Sequence, residues 1–279
     1  MRLATISRDD VTHAALIDSD GSAHLLDYPT AAEALDAEVR TSGSLSAATP
    51  SATLTESEFS LLAPLLRPGK ILGSGINYIG HKQENPAAIM PVEPGFFSKF
   101  PSSVVGPGMN VVIPTPESNV DYEVELAIVI GKPGKNISRD GAYNHVFGYT
   151  LINDISGRDI QFRPNQMDLG KGLDTFCPLG PWIVSADEFA DINDVKVRTW
   201  VNGELRQDAS TADWIFDVPA LVEHASRYMT LETGDIITTG TPAGCGTFRH
   251  PPLWLVDGDL VMIEADGLGQ LTNGVIKGW

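Results

Sequence analysis

The chain has 279 residues, of which 42% are hydrophobic and 20% charged, so it suits one sizeable domain or a large domain with a small one attached. Its formal net charge of −17 argues against nucleic acid and anionic membranes as partners. The sequence contains no signal-peptide-like apolar region at its start and no run of about 18 apolar residues. With two cysteines, Cys177 and Cys245, we expect no disulfide framework, inert thiols and a reducing cytoplasm.

The first 66 residues predict a small separate unit. Residues 3–6 and 14–18 have strand composition, and Asp20-Gly21 is typical of a hairpin turn. A short helix is expected over residues 31–39, followed by a loose Ser/Thr/Ala-rich connection. Arg67-Pro68-Gly69-Lys70 then indicates a boundary, which predicts domains at residues 1–66 and 67–279.

From residue 71 onward the pattern is mostly that of strands. Residues 195–201 and 204–207 flank Asn202-Gly203, which predicts a hairpin with a type I′ turn. Residues 260–264, followed by Asp266-Gly267, repeat this pattern.

One clear helix is predicted, with Asp217 as its N-cap and Pro219 in its first turn. Five of its apolar residues recur at helical spacing, namely Leu221, Val222, Ala225, Tyr228 and Met229. Because strands and helices do not alternate regularly, a β-rich α+β fold is favoured over a doubly wound sheet.

An acidic strand gives the first indication of chemistry. Asp121-Tyr122-Glu123-Val124-Glu125 leads into the apolar segment 126–130. Alternate residues of a strand share a face, so Glu123 and Glu125 lie close together, with Asp121 on the same face. Adjacent carboxylates entering a core are costly unless a cation lies among them. A divalent cation held by Glu123 and Glu125 is therefore predicted, with Asp121 in a structural role; an exposed acidic strand face is the alternative.

A second apolar strand, residues 146–152, ends at Asn153-Asp154. By itself Asp154 is typical of a turn or a cap, but beside the glutamate pair it is a plausible third oxygen ligand. Three carboxylates with open positions suit Mg²⁺ or Mn²⁺, with Ca²⁺ as an alternative.

His81 and Glu84 are three residues apart, so one helical turn places them on one face. A carboxylate that holds a histidine ring raises its basicity and fixes its orientation, as deprotonation of water requires. A surface ion pair is the alternative. The Gly-rich segment 239–246 is suited either to present backbone N–H groups to an anion or to connect two strands tightly.

Six ordered blocks, from about residue 71 to the C-terminus, resemble the fumarylacetoacetate hydrolase family. They read Gly-x-Asn-Tyr-x-x-His-x-x-Glu (75–84), Phe-Phe-Ser-Lys (96–99), Asp-Tyr-Glu-x-Glu-Leu-Ala (121–127), Gly-Tyr-Thr-x-x-Asn-Asp-x-Ser-x-Arg-Asp (148–159), Gly-Lys-x-x-Asp-Thr-Phe-x-Pro-Leu-Gly-Pro (170–181) and Thr-Gly-Thr-Pro-Ala-Gly (239–244). The resemblance implies a β-rich α+β protein, with a mixed β-sandwich roll as catalytic domain and a small N-terminal α/β domain. It also implies a homodimer.

The resemblance assigns roles by position. It implies a divalent metal on Glu123, Glu125 and Asp154. It also implies a water-activating dyad of His81 and Glu84, on a lid that orders when substrate binds. Lys171 matches the active-site lysine of the family. Four positions match substrate-contacting residues, and these are Arg158, Gln161, Thr241 and Lys99.

One departure from the family pattern indicates which branch of the family the sequence resembles. Enzymes that cleave fumarylacetoacetate itself carry an aspartate, a fourth metal ligand, seven residues before the histidine, and here that position is Ser74. This favours the two-domain branch that acts on acylpyruvates, oxaloacetate and related keto acids. The long apolar lid, residues 85–94, favours a substrate with an apolar tail.

We therefore expect a Mg²⁺- or Mn²⁺-dependent hydrolase that cleaves a C–C bond of a 2,4-dioxo acid, such as an acylpyruvate or a related β-diketone acid, through an enolate and a water activated by His81 and Glu84. The alternative on the same site is an oxaloacetate decarboxylase or tautomerase, or another lyase or isomerase of keto acids. A non-catalytic binding protein is disfavoured because the carboxylate triad, the dyad and the lysine are all present.

Overall fold

The computed structural model describes residues 1–85, 88–115 and 118–278. Its strands are β1 (Arg2–Arg8), β2 (Val11–Ile17), β3 (Ala23–Leu25), β4 (Thr53–Leu54), β5 (Ser60–Leu61), β6 (Ile71–Ser74), β7 (Phe96–Lys99), β8 (Val104–Val105), β9 (Val111–Ile113), β10 (Val120–Asp121), β11 (Val124–Ile130), β12 (Val146–Asn153), β13 (Ser156–Gly157), β14 (Cys177–Ser185), β15 (Lys196–Val201), β16 (Glu204–Ser210), β17 (Ile236–Thr238), β18 (Leu260–Ala265) and β19 (Gly269–Lys277).

Helices are few and short in the described residues. The α-helices are α1 (Ala31–Arg40), α2 (Ile79–Glu84), α3 (Arg158–Gln161), α4 (Met167–Lys171) and α5 (Val218–Tyr228). Short 3₁₀ helices cover Glu56–Glu58, Pro101–Ser103, Arg139–His145, Ala186–Glu188, Thr211–Asp213 and Gly246–Phe248. The predicted β-rich α+β class is confirmed.

A large mixed sheet carries most of the molecule. Its strand order is β4-β3-β2-β1-β14-β12-β11-β17-β6-β7, with β5 added beside β1 and β8 beside β14. β1 pairs with β14 through Arg2 opposite Val184, so strands from the first 66 residues continue the sheet that contains β11 and β12. The division into domains at residues 1–66 and 67–279 stays a prediction.

Strand β11 is buried along its whole length because both faces of the sheet are covered around it. Leu126 and Ile128 face one apolar core, whereas Ala127 and Val129 face another. This explains why the segment reads as a continuous apolar run rather than as an alternating one.

A smaller sheet has the order β16-β15-β18-β19-β9. Asn202 and Gly203, between β15 and β16, have φ angles of 52° and 80°, as the predicted type I′ turn requires. The Asp266-Gly267 turn joins β18 to β19 as predicted, with Gly267 at φ 83°.

Helix α5 begins at the predicted N-cap, since the carboxylate of Asp217 accepts a hydrogen bond from the backbone N–H of Ala220 at 3.0 Å. Leu221, Val222 and Ala225 are buried as expected. Tyr228, which shares this helical spacing, is not buried: its side chain is 68% exposed, and its ring lies 5.3 Å from that of His224 between centroids.

The cap of α5 gives a stability prediction. Asp217→Ala is expected to lower the free energy of unfolding by about 1 kcal/mol, because the N–H of Ala220 at the start of the helix loses its side-chain acceptor. Asp217→Asn is the matched control: it keeps a capping oxygen and loses only the exposed ion pair to Arg139, so it should cost no more than a few tenths of a kcal/mol. Urea unfolding measures both, and equal losses would show that the ion pair matters rather than the cap.

Candidate active site

The carboxylates come together because β11 and β12 pair antiparallel, with Val124 opposite Asn153. Glu123 therefore precedes β11 where Asp154 follows β12, and the N–H of Asp154 donates to the carbonyl of Glu123 at 2.8 Å. All three predicted metal ligands are buried, and one oxygen from each of Glu123, Glu125 and Asp154 lies within 4.8 Å of the others. The alternative of an exposed acidic strand face is excluded.

Three buried cations, Lys99, Lys171 and Arg158, partner these carboxylates. Lys171 Nζ donates to Glu123 Oε2 at 2.7 Å and to Asp154 Oδ2 at 2.6 Å. Arg158 Nη2 donates to Glu123 Oε1 at 2.5 Å. Burial alone would raise the pKa of Glu123, but the charges of Arg158 and Lys171 outweigh it and hold that pKa far below its ordinary value.

Glu125, unlike Glu123, has no buried cation as a partner among the described residues. Its Oε2 accepts the N–H of Gly240 at 2.8 Å, whereas its Oε1 is buried without a hydrogen-bond partner in the described part of the chain. Burial, followed by the charges of Asp154 and Glu123, raises the pKa of Glu125 well above its ordinary value. A buried oxygen without a partner, beside two further carboxylates, is what an additional cation would satisfy, so these residues fit a divalent ion with oxygen ligands.

Asp121 also lies in this cluster but is not one of the three carboxylates whose oxygens converge. Its carboxylate accepts both Nε and Nη2 of Arg158, at 3.0 and 2.8 Å. It also accepts the backbone N–H groups of Gly246 and Thr247. The predicted structural role fits these contacts, because Asp121 fixes the guanidinium that holds Glu123.

Helix α2 brings His81 and Glu84 together, with His81 Nδ1 at 2.8 Å from Glu84 Oε1. The other carboxylate oxygen, Glu84 Oε2, accepts the N–H of Gly244 at 2.7 Å. Glu84 is thus held at both oxygens, so the imidazole has a fixed orientation and Nε2 remains as the nitrogen free to take a proton.

The Gly-rich segment does present its N–H groups to anions, and those anions are the carboxylates of the protein itself. Gly240 binds Glu125 and Gly244 binds Glu84. Gly244 has φ 110°, and a Cβ there would lie 2.2 Å from the carbonyl of Arg206, so a larger residue would disturb the loop.

A cavity of about 240 Å³ opens beside the triad. Seven predicted site residues line it, namely His81, Glu123, Glu125, Arg158, Gln161, Lys171 and Thr241, and so does Ser74. Arg158 Nη1 donates to Gln161 Oε1 at 2.9 Å, which fixes one wall. Phe97, Phe162, Met167 and Phe248 supply apolar walls.

Three predicted site residues do not line the cavity themselves but contact residues near it. Asp154 and Glu84 reach the cavity only through their contacts with Lys171 and His81. Lys99 is 2% exposed, and its ammonium group donates to Asp154 Oδ1 and to the carbonyls of Ile155 and Lys171. These contacts support a structural role for Lys99, whose predicted substrate contact stays untested.

Of the predicted lid, residues 85–94, Asn85 lines the cavity. Ile89 is 88% exposed and Val92 is 96% exposed, and neither lines the cavity. Pro86 and Ala87 lie outside the described residues. The described geometry therefore gives no support to the apolar-tailed substrate inferred from this segment.

Sequence reasoning missed Gln207, a buried residue of β16. Its Nε2 donates to Thr241 Oγ1 at 2.8 Å, and its Oε1 accepts the N–H of Val124 at 3.1 Å. It thereby fixes a cavity residue to the strand that carries Glu125. No local motif marks it; the only signal is a polar residue at an inward position of a predicted strand.

The comparison with known families decides the classification. Residues 70–276 match the family described as fumarylacetoacetate (FAA) hydrolase, C-terminal. The chain belongs to the fumarylacetoacetate hydrolase family. The resemblance seen in the six sequence blocks is therefore confirmed.

Two relatives illustrate the sequence similarity. The mitochondrial oxaloacetate tautomerase FAHD2A of Homo sapiens is 46% identical over 225 residues, which cover 80% of this chain and 71% of that protein. The oxaloacetate tautomerase YisK of Bacillus subtilis (strain 168) is 48% identical over 223 residues, which cover 78% of this chain and 74% of that protein.

Two solved structures illustrate the similarity of fold. Fumarylacetoacetate hydrolase from the psychrophile Exiguobacterium antarcticum superposes with a TM-score of 0.86 at 37% identity, over the whole of both chains. Maleylpyruvate hydrolase from Sphingobium sp. SYK-6, solved with manganese(II) and pyruvate, gives a TM-score of 0.83 at 32% identity, again over the whole of both chains. Among the described residues, no helix is long and apolar enough to cross a bilayer.

The unequal environments of Glu123 and Glu125 predict opposite effects of the same substitution on metal-free protein. Glu123→Gln should lower the free energy of unfolding by about 1.5–3 kcal/mol, since Arg158 and Lys171 each lose one of their two carboxylate partners and keep only Asp121 and Asp154 respectively. Glu125→Gln should raise the melting temperature near neutral pH, because it removes a buried charge with an unpartnered oxygen.

Thermal melts without and with Mg²⁺ or Mn²⁺ measure both effects. The wild-type protein should melt at a higher temperature with the ion, and both variants should lose that increase. An ion-induced increase of wild-type size in both variants would show that the carboxylate triad is not the metal site.

Proposed function

We propose that the protein is a divalent-metal-dependent tautomerase of small 2-keto dicarboxylates, with oxaloacetate as the preferred substrate. The observation that carries this proposal is the small cavity lined by His81, Lys171 and two members of the triad, Glu123 and Glu125. The tautomerase names of relatives that are 46% and 48% identical support the choice of reaction. The ion would be Mg²⁺ or Mn²⁺, held by Glu123, Glu125 and Asp154.

The charge of the site supports an anionic substrate. Four buried carboxylates, including Asp121, face three buried cations, Lys99, Lys171 and Arg158, which leaves one net negative charge when all are ionised. A bound divalent ion would reverse that sign and supply positive charge to the oxygens of a keto acid. A dicarboxylate is then attracted, and Arg158 with Gln161 forms the wall best suited to its far carboxylate.

Tautomerisation moves a proton between the carbon next to the ketone and the ketone oxygen. His81 Nε2, with Nδ1 held by Glu84, would remove the proton from the carbon. The ammonium group of Lys171 would stabilise the charge that develops on the oxygen and protonate it. This ammonium lies 5.0 Å from the ring centroid of Phe97, which helps to fix its position.

The volume of the cavity favours a small dicarboxylate over a larger substrate. At about 240 Å³ it is smaller than the roughly 300–1,000 Å³ of pockets that hold drug-sized ligands. A four-carbon dicarboxylate suits such a space.

Hydrolysis of a C–C bond in a 2,4-dioxo acid is the second candidate. One observation favours it: the His81–Glu84 contact is also the arrangement that activates water. The manganese and pyruvate in the maleylpyruvate hydrolase structure support it as well. The homodimer implied by the family resemblance and the cytoplasmic location stay predictions.

An assay panel separates the candidates. The purified enzyme is tested on the enol and keto forms of oxaloacetate and on acylpyruvates, with Mg²⁺, with Mn²⁺ and with EDTA. Metal-dependent tautomerisation should be the fastest reaction and should stop in EDTA. Faster acylpyruvate cleavage than tautomerisation would replace the first candidate with the second.

The base is tested by His81→Ala, which should lower the rate about 10²–10⁴-fold without removing the metal-induced increase in melting temperature. His13→Ala is the matched control, because no described contact joins that residue to the site, and its activity should equal that of the wild type. A near wild-type rate in His81→Ala would assign the proton transfer to another group.

A further inference from the structure

A second cluster of metal-ligating side chains lies beside the triad. His81, Glu84 and Cys245 each present a ligand atom within 4.8 Å of the other two. Cys245 Sγ lies 3.9 Å from His81 Nδ1, which in turn lies 2.8 Å from Glu84 Oε1. The thiol of Cys245, expected from the sequence to be inert, is thus part of a group that combines nitrogen, oxygen and sulfur.

The donor types of the two clusters differ. The triad of Glu123, Glu125 and Asp154 offers only oxygen, which suits Mg²⁺ and Mn²⁺. The second cluster offers imidazole, carboxylate and thiolate, a set that strongly prefers Zn²⁺. One active site therefore contains two neighbouring groups with different metal preferences.

The separations are close to those of a tetrahedral zinc site. Zinc bond lengths of about 2.0–2.3 Å place two tetrahedral ligand atoms roughly 3.4–3.6 Å apart. The Sγ–Nδ1 distance of 3.9 Å must shorten by a few tenths of an ångström, and the Nδ1–Oε1 distance of 2.8 Å must lengthen by a similar amount. Rotations of the side chains of His81 and Glu84 suffice for shifts of this size.

The thiol of Cys245 is buried, and no short hydrogen bond among the described residues holds it. The polar neighbours of Cys245 Sγ are at long range, namely Gln207 Nε2 at 3.8 Å and Glu123 Oε1 and the carbonyl of Pro242 at 3.9 Å. His81 lines the cavity, which gives an ion a route of entry. Binding would replace the thiol proton with zinc and release that proton to solvent.

We propose that His81, Glu84 and Cys245 form an inhibitory Zn²⁺ site, distinct from the triad. A zinc ion on Nδ1 displaces Glu84 from its hydrogen bond with the ring and occupies both members of the dyad. The ring then no longer has the orientation and basicity that proton transfer requires. Zinc therefore stops the reaction even when Mg²⁺ fills the triad.

Cobalt spectroscopy tests the site without using activity. Co²⁺ is added, in the presence of saturating Mg²⁺, to the wild type, Cys245→Ala and the matched control Cys177→Ala, whose thiol is buried in β14. The wild type and Cys177→Ala should develop a near-ultraviolet sulfur-to-cobalt charge-transfer band, and Cys245→Ala should not. Absence of the band in the wild type, or its persistence in Cys245→Ala, overturns the proposal.

Zinc titration of the enzyme gives the second measurement. With saturating Mg²⁺, Cys245→Ala should need roughly 10–100-fold more zinc for half-inhibition than the wild type, each compared with its own zinc-free rate. Equal sensitivity would place the inhibitory zinc on the triad and overturn the proposal. Should Cys245→Ala fail to fold, Cys245→Ser and Glu84→Gln replace it in the cobalt measurement, where Cys245→Ser should show no band and Glu84→Gln a weakened one.

The two proposals fail in different ways. The cobalt band does not depend on which keto acid is the substrate, nor on whether the enzyme is active. An enzyme without tautomerase activity but with the Cys245-dependent band would refute only the proposed function. An active tautomerase without the band would refute only the zinc site.

Discussion

The balance between buried carboxylates and buried cations is the constraint on which the rest of the site depends. Glu123 is held by Arg158 and Lys171, and Asp154 by Lys171 and Lys99, so each of these two ligands is fixed by two buried cations. Glu125 has only a backbone N–H for one oxygen and nothing for the other in the described residues. The cluster therefore lacks one positive charge, at the place where three carboxylate oxygens converge. Metal affinity and attraction for an anionic substrate follow from the same deficit.

The fold produces this convergence through two sheet features. The antiparallel pairing of β11 and β12 brings residues from opposite ends of two strands to one edge, which places Glu123 beside Asp154. The loop after β17 then crosses that edge and presents backbone N–H groups to Glu125 and Glu84. A single loop thus orients one metal ligand and the carboxylate that holds the base. The metal site and the proton-transfer site are therefore parts of one rigid edge rather than two independent sites.

Local sequence pattern predicted part of the site and of the fold, but not the contacts between residues far apart in the sequence. The two-residue period of a strand predicted that Glu123 and Glu125 share a face, and the capping residue Asp217 marked the start of α5. Gln207 could not be predicted, because its role depends on contacts with Val124 and Thr241, which are far away in the sequence. Helical spacing likewise does not decide burial: it groups Tyr228 with the apolar residues of α5, but the last turn of α5 extends beyond the core that would cover it. The family resemblance supplied Lys171 and Arg158, whose partners no local pattern indicates.

On the proposed function, the His81–Glu84 dyad would serve tautomerisation or hydrolysis according to what lies next to His81. If a substrate carbon occupies that position, the imidazole removes a proton from carbon; if a water does, it generates a nucleophile. The space around His81 therefore matters more than the identity of the base. Phe248 packs against the His81 ring at 5.6 Å between centroids, and Phe97, Phe162 and Met167 add apolar walls to a small cavity. Apolar walls give a nucleophilic water few hydrogen-bond partners, whereas they do not hinder a C–H group. On these grounds the geometry around His81 favours proton transfer at carbon.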